Sequence, residues 1–187
     1  MNKEVEKNSR QGLNVGIFCS ANDNIDRLYF DKTAELGEFL GRNGHRIVFG
    51  GCDLGLMEHI AKHAVEAGGK TLGVVPVIIE ERGKVSPHCT EIIQCDNLSE
   101  RKDLFLEHSD VFIALPGGVG TLDEIFTVVA SHTIGYHRKR VILYDIGGFW
   151  NMLTALLDDL QSRGMVRGDW KNFIVVAETL EEIKRLL

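Results

Sequence analysis

Paired cysteine is the first thing this sequence lacks. Its 187 residues hold four cysteines, Cys19, Cys52, Cys89 and Cys95, with no C-x-x-C and no zinc spacing. That argues against a disulfide scaffold or a structural metal, and the thiols are expected reduced, as in a cytoplasmic protein. No apolar run approaches membrane-spanning length, and Met1 to Gly12 is too polar and charged for a signal peptide. Residues 1–12 are therefore expected to be a disordered start to one domain, 13–187, with no membrane partner and a cytoplasmic location. Positive charge is also short: 21 Lys and Arg stand against 27 Asp and Glu, a net charge of −6. This weighs against nucleic-acid binding, and any anion site has to be made locally from backbone dipoles and a few basic side chains. His59 and His63 lie four apart, but without H-E-x-x-H or a third ligand no metal is expected. His132 and His137 flank Gly135 and are candidates for the border of a site or a subunit contact. No Ser/His/Asp or Cys/His triad can be assembled from spacing.

What is present is one glycine-rich stretch. Val111 to Leu115 is a short apolar run suited to a buried strand, broken by Pro116, Gly117, Gly118 and Gly120 before an amphipathic segment. Strand, glycine turn and helix together aim free backbone N–H groups at an anion. Gly117 and Gly118 present no Cβ to an approaching phosphate, and Thr121 is placed to cap the helix or to bind the same anion. A Walker A loop is excluded, since Gly120 is followed by Thr121 and Leu122 rather than by lysine. The dinucleotide fingerprint fails at Asp123, where its third glycine belongs. Helical spacing puts Leu122, Ile125, Phe126 and Val129 on the core side, with Thr121, Glu124 and Val128 opposite. On that spacing Glu124 faces away from the sheet. It is either an ordinary acid of the first turn or a carboxylate acting on whatever the glycine loop holds.

Strands are expected at Leu13–Cys19, Arg46–Phe49, Thr71–Val75, Glu91–Gln94, Val111–Leu115, Arg140–Tyr144 and Phe173–Val176. Helices are expected at Tyr29–Arg42, Leu56–Ala67, Leu98–His108 with Ser99 as N-cap, from the glycine loop to about His132, Phe149–Arg163 and Thr179–Leu187. The charged stretch 77–90 is a candidate lid. Strict alternation without linker or repeat predicts an α/β, Rossmann-like, doubly wound parallel sheet with helices on both faces. Ligands of such sheets lie at the carboxyl ends of the strands, where the strand order reverses. Loops 20–24, 50–55 and 116–121 gather there. Arg101 and Lys102, just before the central strand, are the cations placed to neutralise a phosphate, unless Asp103 and Glu107 occupy them.

With these residues together, the chain resembles the LONELY GUY family of cytokinin riboside 5′-monophosphate phosphoribohydrolases, long described as lysine decarboxylases. The resemblance spans roughly residues 13 to 187. It rests on Arg101-Lys102 followed by Pro116-Gly-Gly-Val-Gly-Thr-Leu-Asp-Glu124, with Phe18-Cys19, the Gly50-Gly51 to Met57 turn and Gly135 to His137 in support. It implies hydrolysis of the N-glycosidic bond of a purine nucleoside 5′-monophosphate to free base and ribose 5-phosphate. Arg101 and Glu124 would be catalytic. Ser20, Gly51, Arg101, Lys102, Gly117, Gly118, Gly120 and Thr121 would hold the nucleotide and its phosphate, in a homodimer without cofactor. Decarboxylation normally needs pyridoxal on a lysine, and no such arrangement is apparent. Four departures bear on the base pocket: Ser20-Ala21-Asn22 replaces Gly-Ser-Ser, Cys52 replaces a third glycine, Glu58 follows Met57 in place of glycine, and Lys139-Arg140 stands where lysine-proline is usual. AMP and cytokinin nucleotides therefore both stand as substrates. A non-hydrolytic nucleotide or molybdenum-cofactor carrier of the same fold is the alternative.

Overall fold

The computed structural model describes residues 12–187, so the expected disordered start falls almost wholly outside the described residues. Seven parallel strands, β1 (Asn14–Phe18), β2 (Arg46–Phe49), β3 (Lys70–Pro76), β4 (Glu91–Cys95), β5 (Val111–Ala114), β6 (Val141–Tyr144) and β7 (Ile174–Ala177), form one sheet. Their order is β4-β3-β2-β1-β5-β6-β7, so the winding reverses between β1 and β5. The helices are α1 (Arg27–Arg42), α2 (Gly55–Glu66), α3 (Val77–Glu81), α4 (Leu98–His108), α5 (Val119–Thr133), α6 (Asn151–Ser162) and α7 (Leu180–Leu186). The α/β doubly wound architecture expected from the alternation is the one observed.

Alternating strand residues build two cores because successive Cβ atoms point to opposite faces. Phe18, Phe112, Ala114, Val141 and Leu143 pack with Phe105 of α4, Ile125, Val128 and Val129 of α5, and Leu153 and Leu157 of α6. Val15, Ile17, Ile113, Ile142 and Tyr144 pack on the other face with Leu36 and Leu40 of α1, Leu56 and Ile60 of α2, and Ile183 of α7. Strands buried on both sides read as continuous apolar runs, which is why their positions were legible.

Four local expectations are corrected. Helix α4 is capped by Asn97, whose side-chain oxygen accepts from the N–H groups of Ser99 and Glu100 at 2.9 and 3.0 Å; Ser99 lies inside the helix. Stretch 77–90 opens with the short helix α3 and is then tied down. Asp53 N–H donates to the Lys84 carbonyl, Ser86 N–H donates to the Gly51 carbonyl, and His88 pairs with Glu58 at 2.6 Å. None of its residues lines the main cavity, so it is not a lid over it. The third correction concerns α5. Its buried stripe is Thr121, Glu124, Ile125, Val128 and Val129, while Phe126 is 38% exposed. Apolar periodicity alone turned Glu124 outward; a counter-charge from α4 lets it turn inward. Last, of the two roles open to Thr121, capping α5 is excluded, because that helix opens at Gly118 with no side-chain cap.

Candidate active site

A cavity of about 540 Å³ opens at the carboxyl edge of the sheet, over the β1/β5 reversal. Its walls come from the loop after β1 (Ser20 to Asn24), the first turn of α2 (Met57), α4 (Arg101) and the start of α5 (Gly118, Gly120, Thr121, Glu124). The reversal leaves a crevice because the chains leaving β1 and β5 turn to opposite faces.

The start of α5 has the build that an anion cradle requires. The first intrahelical bond runs from Leu122 N–H to the Gly118 carbonyl, so the N–H groups of Val119, Gly120 and Thr121 come before it. With no capping side chain, they and the positive end of the helix dipole are left for a ligand. A Cβ at Gly118 or Gly120 would meet nothing within 4 Å, so the space above them is open. Gly117 has a different reason: a Cβ there would lie 2.1 Å from Thr121 Oγ1. It makes room for Thr121, not for the ligand.

Arg101 and Glu124 meet. Arg101 Nη1 donates to Glu124 Oε1 at 2.8 Å, Nε reaches the Val74 carbonyl at 3.3 Å, and the guanidinium carbon lies 5.2 Å from the centre of the Phe105 ring. The Glu124 residue is only 7% exposed. Burial pushes its carboxyl up to about 7, against the opposing pull of the Arg101 charge and hydrogen bond. Burial, reinforced by Glu124, also holds the Cys19 thiol well above its ordinary value, so Cys19 is an inert wall and not a nucleophile.

Other candidates fall outside the cavity. Lys102 turns to both carboxylate oxygens of Asp123 at 3.1 Å and does not line it. Gly51, with φ +68, packs against Val75 and does not line it either. The second glycine turn serves the protein's own packing. A Cβ at Gly50 would meet Arg101 Nη2 at 2.3 Å, so this glycine seats the arginine. Gly55, at φ +57, lies against the backbone of Ala21 and Asn22, while its N–H donates to Asp23 Oδ1 at 2.9 Å. His132, in the last turn of α5, and His137, just past its end, are carried by that helix toward the amino edge of the sheet, some 20 Å away by helix rise. His59 and His63 stack between α1 and α2 beside Phe30 and Glu38, and no group of three metal-ligating side chains occurs among the described residues. Asn22, Asp23 and Asn24, from the polar loop expected at this edge, and Met57, from the second glycine turn, also line the cavity, though none of them was expected as a site residue.

Comparison with known proteins bears on this geometry. A family profile described as "Possible lysine decarboxylase" matches residues 57–187. A cytokinin riboside 5′-monophosphate phosphoribohydrolase of Arabidopsis thaliana is 32% identical over 92% of this chain and 76% of its own length. The enzyme of the same name from Mycobacterium tuberculosis is 33% identical over 91% of each chain. The chain belongs to the LONELY GUY family. Both of the family's paired motifs, Arg101-Lys102 and Pro116 to Glu124, are intact in it. The molybdenum cofactor binding protein of Rippkaea orientalis superposes with a TM-score of 0.71 over 95% of both chains, at 23% identity. That likeness shows the LONELY GUY fold and nothing of its chemistry. No helix among the described residues is long and apolar enough to cross a membrane.

Proposed function

We propose that this protein hydrolyses the N-glycosidic bond of purine nucleoside 5′-monophosphates, releasing free base and ribose 5-phosphate. The observation that carries the reading is the Arg101–Glu124 pair, 2.8 Å apart, in the wall of a cavity whose other end is an uncapped helix N-terminus. A carrier of nucleotide or cofactor has no use for a buried acid beside a phosphate site. A hydrolase does, because cleavage at C1′ builds positive charge on the ribose that a carboxylate stabilises.

The free N–H groups from Val119 to Thr121 take the 5′-phosphate, with the Ser20 hydroxyl across the crevice. Gly118 and Gly120 give close approach. Gly51, Gly117 and Lys102 act indirectly: Gly117 seats Thr121, and Lys102 holds Asp123 beside Glu124. Arg101 offsets ligand charge and keeps Glu124 oriented. Relatives named for cytokinin riboside monophosphates support the substrate class. The wall beyond the reacting pair is Asn22, Asp23, Asn24 and Met57, too polar to bury an N6-prenyl tail, which favours AMP at least as much as a cytokinin nucleotide. Residues 13–187 act as one nucleotide-binding domain of a cytoplasmic homodimer. A groove of about 430 Å³ that includes Phe126, Ile134, Leu157 and Met165 is the face offered to the second copy.

The test is base release from AMP and from isopentenyladenosine monophosphate by wild type and Glu124→Gln. Release by the wild type and its loss in the variant is the expected result. Nucleotide binding without release from either substrate would move the protein to the carrier class.

A further inference from the structure

The cavity is short of positive charge for a ligand that carries a phosphate dianion. Among the described residues lining it, Arg101 is the sole cation, and it shares the lining with two acids, Glu124 and Asp23. Arg101 is already engaged by Glu124, the Val74 carbonyl and the Phe105 ring. Lys102, the next cation, is spent on Asp123. One oxygen of Asp23 is held by Gly55 N–H and cannot turn away freely. The groups acting on Glu124 are Arg101 and Lys102 from α4, Asp123 on its own helix and Cys19 from the end of β1, and Asp23 lines the same cavity: two cations against two further acids. Glu124 itself tips this set to a negative balance before any ligand enters.

We propose that Glu124 takes up a proton as the nucleotide's phosphate dianion binds, and so begins the reaction as an acid. This rests on the phosphoribohydrolase reading of the same site. The carboxyl sits where a proton is easily gained, since burial already disfavours its charged form and lifts it to about 7. A dianion on the neighbouring helix terminus adds repulsion in the same direction, and protonation frees Arg101 to face the ligand.

The chemistry then balances on one residue. The C1′–N9 bond breaks with its electron pair going to the base, and the proton of Glu124 passes to a ring nitrogen of that base. The carboxylate left behind lies beside the cationic ribose. Water forms the new C1′–O bond, and the proton it sheds returns to Glu124. Glu124 is in turn acid, counter-charge and base.

Calorimetry with formycin 5′-monophosphate, a C-nucleotide whose glycosidic bond cannot be hydrolysed, counts the proton directly. At about pH 8 the phosphate is already a dianion and contributes little of its own. Titrations in buffers of different ionisation enthalpy are expected to show uptake of about 0.5–0.9 proton per nucleotide by the wild type. Glu124→Gln should show none. The wild-type Kd should rise by up to about tenfold per pH unit above pH 7, and kcat/KM for AMP should fall over the same range. Binding with no proton uptake, or a kcat/KM that climbs through pH 7 to a plateau, would overturn the proposal and leave the hydrolase standing. Failure to bind any nucleotide monophosphate would overturn both.

Discussion

Replacing Gly50 by alanine acts chiefly on the placement of Arg101 and leaves the start of α5 untouched. Gly50 does not use a positive φ, so its backbone tolerates a side chain. The new Cβ, however, would lie 2.3 Å from Arg101 Nη2 and 2.9 Å from Met57 Sδ. Ordinary contact begins near 3.4 Å, so the guanidinium must retreat by roughly 1 Å. A retreat of that size takes the 2.8 Å bond from Nη1 to Glu124 beyond hydrogen-bonding reach. Misplacement on this scale costs about 10²-fold in rate. The start of α5 is untouched, so KM should change much less than kcat, by no more than the part of the ligand charge that Arg101 offsets. Glu124 would answer the lost partner by taking a proton, which limits the stability cost to about 1–3 kcal/mol. The assay is steady-state base release from AMP, beside thermal unfolding of the same preparation. A folded Gly50→Ala protein with kcat within threefold of wild type would refute the role given to the arginine.

Gly118→Ala tests the cradle from the other side: its Cβ meets nothing within 4 Å, so Tm should be unchanged while the methyl intrudes on the phosphate and KM rises about tenfold. An unchanged KM would remove Gly118 from the site. The buried acid should also be visible in stability. Because the folded protein holds Glu124 at about 7, above its unfolded value of 4.5, the folded state binds the extra proton, and stability is lost as pH rises between those values. Urea unfolding should therefore show wild type losing about 3 kcal/mol relative to Glu124→Gln across that window, and a flat difference would contradict the burial argument. Phe126→Glu, on the groove face and 38% exposed, should give a folded monomer by light scattering. A dimer that persists would place the subunit contact elsewhere.

Much of this protein was legible in the residues. Apolar runs broken by glycine, proline and polar loops read as a parallel sheet, because its inner strands, buried on both faces, cannot alternate; only the edge strand β4, EIIQC, is largely exposed. Pro116 to Thr121 between β5 and α5 reads as an anion loop, since glycines after a buried strand expose backbone N–H groups. Errors arose where local and tertiary forces disagreed. Asn97 outcompeted Ser99 as the cap of α4 by accepting two N–H groups at once. Of the two roles open to Thr121, capping α5 is excluded, because its side chain lies against Gly117 and the helix has no side-chain cap.

By itself, then, the sequence determined the alternation of elements, the family and the glycine turn between β5 and α5, all properties of residues near one another in the chain. Only the tertiary structure decided which way Glu124 points. Periodicity on α5 turns an isolated acid toward water, whereas Arg101, 23 positions earlier on α4, brings the hydrogen bond and counter-charge that make its burial tolerable. It also decided that Gly50 exists for that arginine and Gly55 for the loop 20–24. A glycine's reason is the atom beside its missing Cβ, and that atom belongs to a distant part of the chain.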